Sequence, residues 1–365
     1  MKTISVKNVK ELIRNAPEYR FLHENQYLGK NVILLGYGGS HAYGLNNENS
    51  DIDLRGIAVR EKTEILTGQN FEQVVDIDTD TTVYSFDKIV KLLCECNPNV
   101  IEMLGLREQD YIYLHPIGRE LIKNRKLFLS KKAIHSFGGY ANAQLRRLEN
   151  KAASLVGQEQ MERHILKSIE HASVDFKRKY FEFDDDAIKL YTDRAVNPDF
   201  YSEVFMDVNL HHYPLRDYKD MFSEMANIVR CYAKIGRRNE KAIAHDKLGK
   251  HMCHLVRLYL MCFDILEKGE IVTYREDDHN FLMHIRNGEY LDENRQPIPE
   301  FYELVDEYEK KLDELKNSTM LPEYVDMRQI NQFVADVNEK IVRGDWDLGT
   351  YWAEAFKDKT KDEKE

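Results

Sequence analysis

One short stretch limits what this chain can fold into more than any other. Asn31–Leu35 (NVILL) is an apolar run that halts at Gly36-Tyr37-Gly38-Gly39. Ten residues then separate Ser40 from an Asp-x-Asp, Asp51 and Asp53, at the opening of a second apolar run. An apolar run ending in a glycine cluster reads as a buried strand entering a tight turn. Ile52–Val59 (IDLRGIAV) reads as a second strand, and the β-branched Thr79–Ser85 (TDTTVYS) as a third. Asp87–Cys96 has helical spacing, with Ile89, Leu92, Leu93 and Cys96 on one face, and stops at Asn97-Pro98-Asn99. The opening domain, residues 1–125, is therefore expected to be α/β.

Helical periodicity then takes over, at Ala133–Ala153, Met161–Phe181, Asp217–Ile235, His245–Lys268, Ile298–Lys316 and Met327–Val342. These runs predict a mostly helical domain over 126–345. A mixed stretch near 182–216 inside it has no assignment. Residues 346–365 read as a C-terminal tail, whose final stretch KDKTKDEKE is expected to fray.

Composition removes several classes. With 365 residues, 42% hydrophobic and 32% charged, the chain can bury a sizeable core. Its net charge of −11 (52 basic against 63 acidic residues) has the wrong sign for a protein that coats nucleic acid. A local basic groove is still compatible with that charge, so any RNA is expected to be held at a groove or an end. No apolar run approaches the roughly 18 residues of a membrane span, and the N-terminus has no signal-peptide core. The expectation is a soluble, cytoplasmic protein. The five cysteines, an odd number without a CxxC pair, argue against a disulfide framework or a structural zinc site.

The chemistry sits in GYGGSHAYGLNNENSDIDLRGIAV, residues 36–59. Gly38 and Gly39 allow the backbone to approach a phosphate closely, and amides opening a short helix give an anion-binding end. The Ser40 hydroxyl can add a hydrogen bond. In an extended strand Asp51 and Asp53 point to one face, where two carboxylates suit Mg²⁺ or Mn²⁺. A phosphate cradle beside a divalent-metal clamp is what metal-dependent phosphoryl transfer requires. A third carboxylate is expected from Val75–Ser85, where alternation places Asp76, Asp78, Asp80, Thr82 and Tyr84 on one face. Asp80, deepest in the β-branched run, is preferred, with Asp78 in reserve. A dinucleotide-binding turn fits less well, because position 41 is His and turn residues follow it. A P-loop is absent.

The GGS turn followed by SDID resembles the signature of the DNA polymerase β nucleotidyltransferase superfamily. GSHAYGLNNENSDIDLRGI and DTTVYSFDKIVKLLCECNPNVIEML resemble, more narrowly, the RNA-ligase-associated nucleotidyltransferase (RlaP, YcgL-type) family. FGGYANAQLRRL, KHMCHLVRLYLMCFDILEKGEI, IRNGEY and LPEYVD extend the likeness over most of 31–150 and 245–343. The resemblance implies an α+β fold: a palm-like domain with a mixed sheet and helices, followed by a mostly helical domain. It implies that Gly38, Gly39 and Ser40 hold the triphosphate of an NTP such as ATP, and that Asp51 and Asp53 ligate two Mg²⁺ (or Mn²⁺) ions. Asp80 becomes the third metal and catalytic carboxylate. The reaction implied is transfer of a nucleoside monophosphate from NTP, with release of pyrophosphate. The acceptor is left open between an RNA end, in RNA repair beside an RNA ligase, and a protein or small molecule. A catalytically silent nucleotide- or RNA-binding partner of a repair complex is the third reading, and intact Ser40, Asp51 and Asp53 argue against it.

Outside this constellation, Lys250, His254 and Arg257 lie near one side of a predicted helix. Lys250 and Arg257 are read either as phosphate ligands or as solvated, paired cations. His251 and His254 read better as hydrogen-bonded histidines than as metal ligands. Gly288 in IRNGEY fits the residue after a helix end. Glu102 belongs to the family pattern without an assigned role, and Asp184-Asp185-Asp186 reads as a solvated face.

Overall fold

A computed structural model describes residues 5–48, 50–153, 188–194, 196, 202–220, 222, 223, 226, 248–293 and 295–357. The expected helix at Met161–Phe181 lies outside the described residues, as do Asp184–Asp186 and most of Asp217–Ile235. The fold is α+β, with one five-stranded mixed sheet among helices. Its strands are β1 (Val32–Tyr37), β2 (Leu54–Ala58), β3 (Gln73–Asp76), β4 (Thr81–Ser85) and β5 (Tyr111–Leu114), in the order β3-β4-β2-β1-β5. β2 and β4 are parallel; the other neighbours are antiparallel.

Central position explains the composition of β1. All six of its residues are buried, as expected for a strand paired on both edges and covered on both faces. β4 alternates instead: Thr81, Val83 and Ser85 are buried, while Thr82 and Tyr84 stand half-buried on the other face. Ser85 ends the strand by capping helix Phe86–Cys94, its Oγ accepting from the Lys88 amide at 3.1 Å.

The chain divides into two compact units that are not consecutive in sequence. The first contains Met1–Asn142, Cys253–His284 and Glu303–Glu365; the second contains Ala143–Met252 and Ile285–Tyr302. Within the first unit the segment after helix Leu248–Lys268 is tied to the sheet end. Thr273 Oγ1 donates to the Glu102 carbonyl at 2.7 Å, and the Arg275 amide donates to the Tyr43 carbonyl at 3.2 Å. Gly44, at φ +73, leaves room for the Tyr274 ring, which a Cβ would meet at 2.3 Å. Helix Met327–Arg343 starts at an Asp326 cap and ends at Gly344, at φ +78.

Two local expectations are corrected, and a stretch without assignment gains one. The tail expected from residue 346 contains a helix, Leu348–Ala355, capped by Asp347. Its Trp352 is buried and donates from Nε1 to His23 Nδ1 at 3.2 Å, while its ring meets Tyr113 and Phe356. The reason is aromatic burial: Trp352 and Phe356 recur at helical spacing, a signal outweighed in the sequence by the charged end of the chain. In the unassigned stretch, β6 (Ile188–Arg194) and β7 (Ser202–Val208) form an antiparallel pair in the second unit. Val75–Ser85 is not one strand but a hairpin: β3, a turn at Ile77–Asp80, and β4.

Among the described residues, no helix is long and apolar enough to cross a membrane.

Candidate active site

The glycine turn and Asp53 meet directly. β1 leads into Gly38, whose amide donates to the Asp53 carbonyl at 2.8 Å, continuing the β1–β2 ladder past the last strand residues. Gly39 follows at φ +52 and opens helix Gly39–Ala42. A Cβ on Gly39 would lie 1.7 Å from Asp53 Oδ2, so the site requires glycine for space as well as for backbone conformation. Ser40 is half-buried in the first turn, where helical amides lack intrahelical acceptors. The expected phosphate cradle and the second carboxylate of the Asp-x-Asp are thus adjacent.

Asp51 precedes the regular strand, which begins at Leu54, and it is exposed. The same-face relation expected of a strand therefore applies to Asp53 and Arg55 more firmly than to Asp51 and Asp53. The alternation expected for Asp76, Asp78 and Asp80 is overturned. Asp76 Oδ1 accepts from the Thr79 amide at 3.0 Å and from Thr79 Oγ1 at 2.8 Å, folding the chain into the turn. Asp78 is exposed within that turn. Asp80 ends it at φ +43, a left-handed position, one residue before Thr81 pairs with Leu54. Parallel register thus brings Asp80 beside Asp53 at the start of the inner strands β4 and β2, but its side chain is engaged elsewhere. Arg55 donates from Nη1 to the Asp80 carbonyl at 2.6 Å and from Nη2 to Asp80 Oδ1 at 3.2 Å.

Whether these residues fit a divalent cation can be judged from the donor set. Two carboxylates in Asp-x-Asp spacing, one of them pressed against a glycine turn, are the hard oxygen ligands such an ion takes. Among the described residues, however, no three His, Cys, Asp or Glu side chains lie close enough together to hold one ion. The Asp-x-Asp has the donor chemistry of a metal ligand pair; among the described residues the three-carboxylate clamp is not assembled.

Sequence reasoning missed a cluster beside the glycine turn. Tyr43, one residue beyond helix Gly39–Ala42, is fully buried and donates from its hydroxyl to Glu102 Oε2 at 2.5 Å. The Arg257 guanidinium lies over the Tyr43 ring, 3.4 Å from its centroid, and its Nη2 contacts His254 Nδ1 at 2.8 Å. Burial pushes the Glu102 carboxyl up, opposed by Arg257, by the Tyr43 hydrogen bond and by Arg55. The same burial, with Glu102 next to it, drives the Tyr43 phenol well above its ordinary value. Tyr84 on β4 is also pushed up by burial, with Arg55 acting in the opposite direction. Glu102 thus supplies the counter-charge that holds Arg257 and Tyr43 at the end of the glycine helix.

Of the two cations read as phosphate ligands, Arg257 belongs to the first unit and is committed to this cluster. Its Nε is buried without a hydrogen-bond partner among the described residues. Lys250 is exposed and belongs to the second unit. His254 serves as a hydrogen-bonded partner of Arg257, in line with its reading as a non-ligand. Arg55 had a signal that could have found it, since Asp51, Asp53 and Arg55 alternate in the sequence. Tyr43 and Glu102 had none, because their meeting spans 59 positions.

Comparison with known proteins agrees with the motif. No match is found among curated proteins or among solved structures. Residues 10–169, which contain the five-stranded sheet, the glycine turn, Asp51, Asp53, Asp80 and Glu102, match the model of RlaP, the RNA repair pathway DNA polymerase beta family, and in this region the chain is similar to that family.

Proposed function

We propose that the protein is a metal-dependent nucleotidyltransferase that moves a nucleoside monophosphate from an NTP to an acceptor hydroxyl and releases pyrophosphate. The observation that carries this reading is the packing of Gly39 on Asp53. It sets the Gly38-Gly39-Ser40 backbone directly beside a carboxylate, and the likeness of residues 10–169 to the RlaP family supports the reaction class.

In this reading the amides and hydroxyl of the glycine turn orient the triphosphate, and Asp51 and Asp53 hold Mg²⁺ or Mn²⁺. A bound ion of this kind would neutralise triphosphate charge and lower the pKa of an attacking hydroxyl. Asp53 is fixed through its own carbonyl, which the Gly38 amide holds, so the carboxylate and the phosphate cradle move as one body. Asp80 is read as the third carboxylate, a reading supported by its position one residue before the Thr81–Leu54 pair. Glu102, through Tyr43 and Arg257, fixes the far end of the glycine helix. The acceptor favoured is an RNA end, with an RNA ligase as partner in the same repair pathway, because the matched family is one of RNA repair.

The test is direct. The purified chain is incubated with each labelled NTP, Mg²⁺ or Mn²⁺, and RNA, DNA and protein acceptors, beside the double variant Asp51→Ala/Asp53→Ala. Label on RNA that disappears in the double variant is the expected result. Label on protein reassigns the acceptor, and absence of transfer to any acceptor by a folded wild-type protein defeats the reading.

A further inference from the structure

The nucleotidyltransferase reading leaves the Arg55–Asp80 pair without a purpose. Arg55 stands between two groups on β2. On one side its Cγ approaches the glycine turn so closely that a Cβ on Gly38 would meet it at 2.9 Å. On the other its guanidinium grips both the main-chain oxygen and the carboxylate of Asp80. The Arg55 side chain is 21% exposed and that of Asp80 61%.

This pair is poised to break. An ion pair with so exposed a carboxylate is screened by solvent and weak. Asp80 also occupies the left-handed region, which is unfavourable for a non-glycine residue, although Asp tolerates it better than most. Its backbone is held there by the Arg55 contact and by the Leu54 amide, which donates to the Asp80 carbonyl at 3.3 Å. The consequence is specific: the pair turns the Asp80 carboxylate to Arg55, although register places Asp80 beside Asp53. A guanidinium facing a triphosphate gains charge-assisted, bidentate hydrogen bonds that a single solvated carboxylate does not match. Glu102, whose charge also bears on Arg55, is retained by Tyr43 and Arg257 and does not compete.

We propose that Arg55 is a triphosphate-binding residue that exchanges partners. It holds Asp80 in the nucleotide-free protein, and it transfers to phosphate oxygens when an NTP enters, freeing the Asp80 carboxylate to join Asp51 and Asp53. The proposal deepens the nucleotidyltransferase reading and rests on it. Only ion pairs are exchanged; no covalent bond changes.

Two binding measurements test it without turnover. One is the affinity for each of the four NTPs in EDTA, by calorimetry. The other is the affinity for Mn²⁺ alone, by electron paramagnetic resonance. Circular dichroism confirms that each variant is folded. Arg55→Gln is expected to weaken metal-free NTP binding by about tenfold or more, the scale of a lost charge-assisted contact, and to strengthen Mn²⁺ binding. Asp80→Asn is expected to strengthen metal-free NTP binding severalfold, because Arg55 no longer has a charged rival, and to weaken Mn²⁺ binding. Arg55→Lys should retain part of the NTP affinity. NTP affinities unchanged in both Arg55→Gln and Asp80→Asn, with wild-type binding intact, overturn the exchange alone. A folded wild type that binds none of the four NTPs overturns the nucleotidyltransferase reading beneath it.

Discussion

Two regions of the first unit are built on opposite principles. At the glycine turn, backbone and side chains sit in costly arrangements. Gly39 and Asp80 are left-handed, Asp53 presses on Gly39, and Asp80 is held by Arg55 and by the Leu54 amide. Around Trp352, the rings of His23, Tyr113 and Phe356 pack edge-on or tilted, and the indole N–H is satisfied. The first region gives up stability for geometry and charge, the second contributes stability without chemistry. The contrast teaches where a substitution should register: as lost turnover at the turn, as lost melting temperature at the aromatic cluster.

The comparison can be broken at either end. Asp53→Ala should lower nucleotidyl transfer by about 10³-fold or more, as expected when a ligand stabilising transition-state charge is removed. Single-turnover label transfer reads this, and the urea midpoint should stay near wild type; a large loss of stability would erase the contrast. Trp352→Ala should do the reverse, destabilising by about 3 kcal/mol or more while leaving transfer intact below the new midpoint.

A pH titration sharpens the second region. His115 is buried, its Nδ1 accepts from the Ile117 amide at 3.1 Å, and its ring meets those of Trp346 and Tyr351. Burial pushes its pKa down to about 4. The unfolded chain therefore binds the proton more readily than the folded one. Stability should be full above pH ~6.5 and fall as pH drops toward 4, by on the order of 2–3 kcal/mol from this group. Equilibrium unfolding at several pH values measures the loss, and His115→Asn, which keeps a capping oxygen, should flatten that part of the profile. The smallest effect is expected at a site belonging to neither region. Lys132→Ala breaks a solvated pair with Glu95 at 2.5 Å and should change stability by less than about 1 kcal/mol.

Much of the sheet was legible. The apolar run at Asn31–Leu35, the glycine stop and the β-branched Thr79–Ser85 gave β1, the turn and β4 within two residues, because burial on fixed faces leaves a periodic trace. The hairpin at Ile77–Asp80 was not legible. Its acidic and β-branched residues alternate as a strand would, and only the hydrogen bonds of Asp76 to Thr79 show that the chain reverses there. The same misreading affected the site: Asp80 was placed on a strand face, whereas it ends a turn.

The residue types and spacing around Gly38–Asp53 were enough to predict a glycine turn beside carboxylates, since both depend on local backbone freedom and on charge. The partners of those residues could not be read from the sequence. Arg55 with Asp80, Tyr43 with Glu102 and Arg257, and Trp352 with His23 join positions 25, 59, 214 and 329 apart in the chain. Such contacts have no period and no local signature. They arise when strand order and helix packing bring distant side chains into one desolvated space, where charge pairing and shape settle which of them remain together.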